Sequence, residues 1–339
     1  MNKAVVGEDS HDASFVGLTI LDISGRPVSD IPEGGGVAFI DEIRLNPAGT
    51  CAGALMNASK LGVKCSTVAC LGNDEKADFI LDRYRRMGNI DVSLVQRTDR
   101  APTSATILTI RPNGDRPALH QRGASDDLYI EDEDFERICN VKVLHLGGIG
   151  LMKAMDESSQ SAKLLKHAKS KGVVTTMDLI APNEDTLELL KPILPHVDYF
   201  MPSMEEAEFL SGKRTPQEAA QVFFDLGASN VIFKWGEKGS YFQSSTEPTI
   251  DTLPQWCERC GSGYRIHAYQ VDVKDTTGCG DSYCGGFIAG LVRGMDVLES
   301  CRLGTATSAL VATGLGSDAG VVDLESTLHF METSGGKGA

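Results

Sequence analysis

The stretch Asp275-Thr276-Thr277-Gly278-Cys279-Gly280-Asp281 sets two bare turns beside an acid. Gly278 and Gly280 let the backbone take positive φ and let a ligand come close. A helical pattern follows, with Tyr283, Phe287 and Leu291 on one stripe and Gly286 and Gly290 on another. Asp281 or Ser282 is expected to cap that helix, which runs to Arg293 and stops at Gly294. A glycine turn opening a helix leaves N–H groups unpaired at the positive end of the dipole, and that is an anion hole. A carboxylate at its mouth makes sense if it takes the proton of a hydroxyl that attacks a phosphorus held in the hole. Spacing alone fits a second reading equally, a glycine loop closed by an ordinary N-cap aspartate. No Gly-x-x-x-x-Gly-Lys-Ser/Thr loop occurs, which excludes P-loop chemistry, and no Gly-x-Gly-x-x-Gly turn follows the first strand, which argues against a dinucleotide fold.

Such a turn needs a rigid frame. Apolar runs at Phe15 to Leu21, Thr67 to Leu71, Val143 to Gly147, Val173 to Asp178, Tyr199 to Met201 and Val231 to Lys234 read as strands. Helical patterns such as Ala54 to Leu61 and Ser158 to Lys171 lie between them. The alternation predicts an α/β fold with a mainly parallel central sheet covered on both faces. Two segments break the rhythm, Ser24 to Asn46 and Ala101 to Gly123. The second carries an Asn113-Gly114 step between β-rich runs, a hairpin signal. Both read as antiparallel excursions that assemble a small β cover over a cleft. Residues 1–13 and 334–339 read as flexible tails around a single domain over 14–333.

The chain has 339 residues, with 32 basic and 47 acidic side chains and a net charge of −15. An acidic balance argues against sequence-independent nucleic-acid binding, which needs a basic face, yet leaves room for a small anion held by backbone dipoles. No apolar run reaches transmembrane length and the N-terminus lacks an apolar signal core, so no membrane partner is expected. Nine scattered cysteines read as reduced thiols of a cytoplasmic protein. Cys257 and Cys260 have zinc-ribbon spacing without a second pair, and a solvated loop is the expectation there.

The segment Asp275 to Asp281, with Gly285-Gly286-Phe287 behind it, resembles the C-terminal motif of the ribokinase-like (PfkB) carbohydrate kinases, with Cys279 where alanine is usual. Further matches follow in order: Val16-Gly17 to Asp22; Ala48-Gly49-Thr50-Cys51-Ala52-Gly53 with Leu61-Gly62 and Gly72-Asn73-Asp74; Pro202 to Glu208 with Gly212; and Val231 to Lys234 with Gly236 and Gly239. The resemblance implies a three-layer α/β/α fold with a β lid, and transfer of the γ-phosphoryl group of ATP to a primary hydroxyl of a small sugar. It casts Asp281 as general base and Gly278, Cys279 and Gly280 as the anion hole. Asp22, Gly49, Thr50 and Gly53 bind sugar. Ser203, Lys234, Gly236, Gly239 and Thr307 lie on the nucleotide side. Glu206 orients magnesium through water, and Asp275 with Thr277 matches positions that hold potassium in some members. The lid, over 24–46 and 101–123, excludes water and pairs protomers into a homodimer in this family.

Departures concern the substrate. Ile20 and Gly53 stand where ribose kinases carry asparagines, and Gly147 where they carry a sugar-binding glutamate. A site without those groups reads a different hydroxyl pattern. The opening Gly17 to Ile23 resembles adenosine kinases too, although Phe39 is the one aromatic in the lid segments. A nucleoside kinase, and a non-catalytic sugar or nucleotide sensor on the same scaffold, are the rival readings. Ser203 replaces a usual asparagine and Lys234 a frequent threonine; Lys234 reads either as a phosphate ligand or as a strand-end lysine in solvent. Asp178 ends a strand where such sheets place ligands, and His145 reads as a core histidine.

Overall fold

The computed structural model describes residues 11–246, 250 and 252–334. Ten strands form the main sheet, in the spatial order Cys257–Cys260, Gly263–Ile266, Ser240–Ser244, Asn230–Lys234, Tyr199–Phe200, Val174–Leu179, Val143–Ile149, Ala13–Gly17, Cys65–Val68 and Ile90–Asp91. From Asn230–Lys234 to Ile90–Asp91 every pairing is parallel, and the other edge is antiparallel. Val143–Ile149 is buried along its whole length, as a strand covered on both faces must be. Helices Thr50–Lys60, Cys279–Val292 and Val297–Val311 close one apolar layer, and Gln160–Ser170, Met204–Ser211 and Pro216–Asp225 the other. This is the three-layer α/β/α arrangement with a mainly parallel sheet.

The cover is a four-stranded sheet in the order Glu42–Ala48, Ile20–Arg26, Ala105–Thr109, Ala118–Gln121. Its outer pairs are antiparallel and its central pair parallel, so it is mixed where the sequence pattern suggested antiparallel excursions. The hairpin at Asn113-Gly114 forms as expected, with Gly114 at φ 87° and Arg111 N–H donating to Asp115 O at 2.8 Å.

Four local readings need correction. Phe15 to Leu21 is not one strand: Ala13–Gly17 belongs to the main sheet and Ile20–Arg26 to the cover. Gly17 takes φ 130°, and a Cβ there would lie 2.0 Å from Gly147 O, so the chain leaves the sheet at a position only glycine can occupy. Thr67 to Leu71 divides in the same way at Ala69. The tail 1–13 ends earlier than expected, because Asp12 N–H donates to Lys64 O and Ala13 opens a strand; residues 1–10 lie outside the described residues, as do 335–339 at the other end. Cys257–Cys260 is an edge strand rather than a loop, and among the described residues no cluster of three or more His, Cys, Asp or Glu could hold a metal ion. No described helix is long and apolar enough to cross a membrane.

Candidate active site

The helix Cys279–Val292 starts one turn before a carboxylate cap would allow. Gly278 is its N-cap, at φ 74° and with no side-chain cap, because only glycine takes that left-handed conformation freely. Asp281 and Ser282 therefore cap nothing. Ser282 Oγ donates back to Cys279 O at 2.9 Å, and Asp281 stands as the third helical residue with a carboxylate that accepts no hydrogen bond among the described residues.

That carboxylate borders a cavity of about 630 Å³ with Thr50, Cys279, Gly280 and Lys234. Burial first, and then the charge of Asp178, push the Asp281 carboxyl up to about 7, against the pull of Lys234. A carboxyl near 7 is matched to general-base work at neutral pH. A Cβ on Gly53 would come 2.7 Å from Asp281 Oδ2 and 2.5 Å from its Cβ. Gly53 thus gives the Asp281 side chain its seat.

Beneath the cavity lies an ionic floor. Lys234 Nζ donates to Asp178 Oδ2 at 2.5 Å, with the lysine side chain 11% exposed and the aspartate 1%. Lys234 is no solvent-facing strand end. Asp178 gives its other oxygen to Leu179 N–H at 2.9 Å, so it serves the lysine and its own strand. Glu206 borders the same cavity, and its carboxyl is raised, chiefly by burial. With Ser203 it forms a capping box that opens helix Met204–Ser211: Ser203 N–H donates to Glu206 Oε2 at 2.7 Å and Glu206 N–H to Ser203 Oγ at 3.1 Å. Ser203, Gly236 and Gly239 complete this side.

Thr307 does not line the cavity. Its Oγ1 donates to Leu303 O at 2.7 Å, and it packs against Gly286. The residues of helix Val297–Val311 that do face the cavity are Thr305, Ser308 and Ala309, which point to other sides of the helix from Thr307. Asp275 is buried, and its oxygens accept from Thr277 N–H at 2.9 Å, Thr277 Oγ1 at 2.7 Å and Gly316 N–H at 3.3 Å, so this carboxylate shapes the loop. His145 is the expected core histidine, with Nδ1 2.9 Å from Thr176 Oγ1.

The cover contributes a polar row by register. Asn46 pairs with Asp22, Asp22 with Thr106 and Thr106 with His120, all on one face of the small sheet. Asp22 lies inside a cover strand, not at the end of the first main-sheet strand as expected. Burial raises its carboxyl to about 7, and Thr106 opposes that rise by hydrogen bonding. The Asp22 charge is felt at Asp281. Gly147 has no room for a side chain, because a Cβ would sit 2.7 Å from Cys51 N. The helix Thr50–Lys60, with Gly49 as N-cap at φ 94°, occupies the space a glutamate there would need. Several cavity residues escaped the sequence reading, among them Trp235, Tyr269, Thr305, Ser308 and Arg116. Arg116, from the cover hairpin, reaches across the cleft and donates from Nη1 to Thr277 Oγ1 at 3.3 Å. Its signal was no more than an arginine after a turn.

Comparison with known proteins agrees with this geometry. The model of the pfkB family carbohydrate kinases matches residues 10–323. An ATP-dependent 6-phosphofructokinase from Thermoanaerobacterium thermosaccharolyticum is 27% identical, over 95% of this chain and 94% of the relative. A 5-dehydro-2-deoxygluconokinase from Clostridium perfringens is 26% identical, over 84% of this chain and 83% of the relative. An E. coli protein described as a ribokinase II, solved in complex with ATP and magnesium, superposes with a TM-score of 0.77 at 22% identity, covering 95% of this chain and 99% of the other.

Proposed function

The chain belongs to the pfkB family of carbohydrate kinases, and from that premise we propose that it transfers the γ-phosphoryl group of ATP to a primary hydroxyl of a small sugar, with Asp281 as general base. The carrying observation is the uncapped Asp281 carboxylate, raised to about 7, at the first turn of a glycine-opened helix. The sugar hydroxyl lies between Asp281 and the polar row headed by Asp22. Asp281 takes its proton as oxygen attacks phosphorus, while the Cys279 and Gly280 amides hold the phosphoryl oxygens. Thr50 borders the acceptor side; Ser203, Gly236 and Gly239 border the nucleotide.

Magnesium fits the donor set. Glu206, one of several carboxylates that border the cavity, suits a hard cation that keeps several waters and binds mainly to phosphate oxygens. When bound, the ion draws charge from the phosphates; Glu206 orients it through water. A potassium requirement through Asp275 and Thr277 belongs to the same reading, tested by exchanging potassium for tetramethylammonium in the assay.

The test is ADP release across fructose, ribose, ketodeoxygluconate, adenosine and inosine, extended by fructose 6-phosphate and 5-dehydro-2-deoxygluconate in view of the relatives' names. We expect turnover with a sugar, and Asp281→Asn should cut kcat about 10²–10⁴-fold with folding intact. Nucleoside turnover alone would transfer the reading to a nucleoside kinase. Near-normal activity of Asp281→Asn would overturn the mechanism.

Homodimerisation through the cover is the second part of this proposal. Leu45, Ile23, Ile107 and Leu119 share a registered row on the face opposite Asp22. Leu45, Ile107 and Leu119 are exposed there, an apolar patch that a second copy would bury. Light scattering at micromolar concentration should give twice the chain mass, and Ile107→Lys should return the monomer.

A further inference from the structure

The cavity that would receive a triphosphate is walled by acid. Asp178, Glu206 and Asp281 all border it, and the charges of Asp178 and Glu206 are both felt at Asp281. Helix-terminus amides supply only partial positive charge, about half a unit per helix. Among the described residues that line the cavity, two carry a full positive charge, Arg116 from the cover and Lys234 from the main sheet. Arg116 is exposed, whereas Lys234 is held from three sides. Its N–H donates to Pro202 O at 3.0 Å, its ammonium is fixed by Asp178 at 2.5 Å, and Nζ lies 3.3 Å from the place a Cβ on Gly280 would take. The glycine of the anion hole therefore does more than free its own amide. Its missing side chain lets the ammonium sit against the opening turn of helix Cys279–Val292. Asp178 is the one acceptor of that ammonium among the described residues, and a lysine has three donors.

We propose that Lys234 is a catalytic residue whose ammonium contacts the γ-phosphoryl group and carries part of its charge through transfer, with Asp178 as the positioning residue that aims it. This rests on the kinase reading above. In the step, the sugar oxygen forms a bond to the γ-phosphorus while the bond from that phosphorus to the β–γ bridging oxygen breaks. The electron pair leaves on ADP, the hydroxyl proton passes to Asp281, and Lys234 stays protonated throughout. A threonine in the same place offers a hydroxyl but no charge. A buried ammonium on a fixed counter-ion is pre-organised, which is where electrostatic stabilisation is strongest. Asp178, with both oxygens spoken for, is thereby assigned to the lysine rather than to nucleotide or metal-bound water.

The experiment compares wild type with Lys234→Thr, Asp178→Asn and the double variant Asp178→Asn/Lys234→Thr. Titration calorimetry with AMP-PNP and with ADP, each with magnesium and without sugar, reads the contact to the third phosphate apart from turnover. Lys234→Thr should weaken AMP-PNP about tenfold while ADP changes less than about twofold, and should lower kcat about 10²–10³-fold. The double variant removes the unpaired Asp178 charge, so it carries the test where the single variant folds poorly. It should remain as impaired as Lys234→Thr in kcat and in the AMP-PNP to ADP ratio. Recovery of wild-type values in the double variant would show that Lys234 only neutralises Asp178, and equal weakening of both nucleotides would place the ammonium away from the third phosphate; either overturns the proposal. If wild type turns over no sugar in the panel, the kinase reading fails by itself, and the calorimetric ratio still judges Lys234.

Discussion

On the side of the cleft proposed for the nucleotide, Ser203, Lys234, Gly280 and Asp281 leave from a strand end and first helical turns. On the acceptor side, Asn46, Asp22, Thr106 and His120 come from four strands that only register brings into a row. The first wall is set by local geometry: a glycine turn makes amides point outward wherever it occurs. The second is set by long-range pairing, in which a slip of one residue would exchange the polar row for Leu45, Ile23, Ile107 and Leu119. In the proposed reading, transfer chemistry is therefore tied to a short motif, and substrate choice to a small sheet that can change strand by strand.

The comparison breaks most sharply behind the base, where Gly53 of helix Thr50–Lys60 lies against Asp281. Gly53→Ala puts a methyl group where the Asp281 side chain now lies, and that contact is too close to be absorbed without moving the base. Displacement of a catalytic group by about 1 Å costs about 10²-fold. Steady-state kinetics should show kcat reduced about 10–10²-fold with the ATP KM within about twofold. A normal kcat would mean that Asp281 does not depend on this seat for its position.

This contact also marks the limit of what the sequence disclosed. Asp281, Gly278 and Gly280 were legible because turn, helix start and acid lie within a few residues of one another. The main sheet was legible because its strands are continuous apolar runs. The break after Gly17 was not, because Phe15 and Val16 before it and Leu18, Ile20 and Leu21 after it are all apolar and buried. Thr307 and Thr305 are both small hydroxyls on one helix, and only the packing of Gly286 against Gly304 and Thr307 shows which of them turns away from the cavity. Arg116 and the burial of Lys234 depend on contacts across 161 and 56 residues of chain, beyond the reach of any local pattern.

A smaller effect separates the walls by pH. The carboxyls of Asp281 and Asp22 are each pushed up to about 7, chiefly by burial. Asp281 acts as a base only when ionised, so kcat/KM for the sugar should rise with pH and level off above 7. At pH 6 it should be about tenfold below the plateau if one group governs, and lower if both must ionise. Asp22→Asn should raise the sugar KM and leave a limb of slope one. A limb that Asp22→Asn leaves unchanged in slope would show that the acceptor wall does not titrate with the base.

Arg116 joins the cover to the anion-hole loop through Thr277. It is exposed, and a surface contact of this kind is weak in the resting molecule. Arg116→Ala should lower kcat/KM for both substrates about three- to tenfold. It should also raise sugar-independent ATP hydrolysis, because a cover not fastened across the cleft admits water. Unchanged hydrolysis would mean that the cover closes without this fastening.

The smallest expected effect is on stability, and it has the opposite sign from the effect on catalysis. The Asp281 carboxyl is raised in the folded chain from its ordinary 3.8 to about 7, so between those values the folded state binds more protons than the unfolded one. Stability then falls as pH rises through that window, and the whole penalty is present above 7. Asp281→Asn removes the penalty without changing the side chain's size. By urea denaturation the variant should be more stable than wild type by about 1–3 kcal/mol at pH 8, and by less at pH 5. The acceptor wall offers a control, since Asp22→Asn removes a carboxyl raised by burial to the same degree but tied to Thr106. The amide that Asp22→Asn introduces replaces only part of what Thr106 gives the carboxylate, so the gain should be the smaller of the two. If Asp281→Asn gains nothing at pH 8, the base is not held in the desolvated state that its position beneath the anion hole implies.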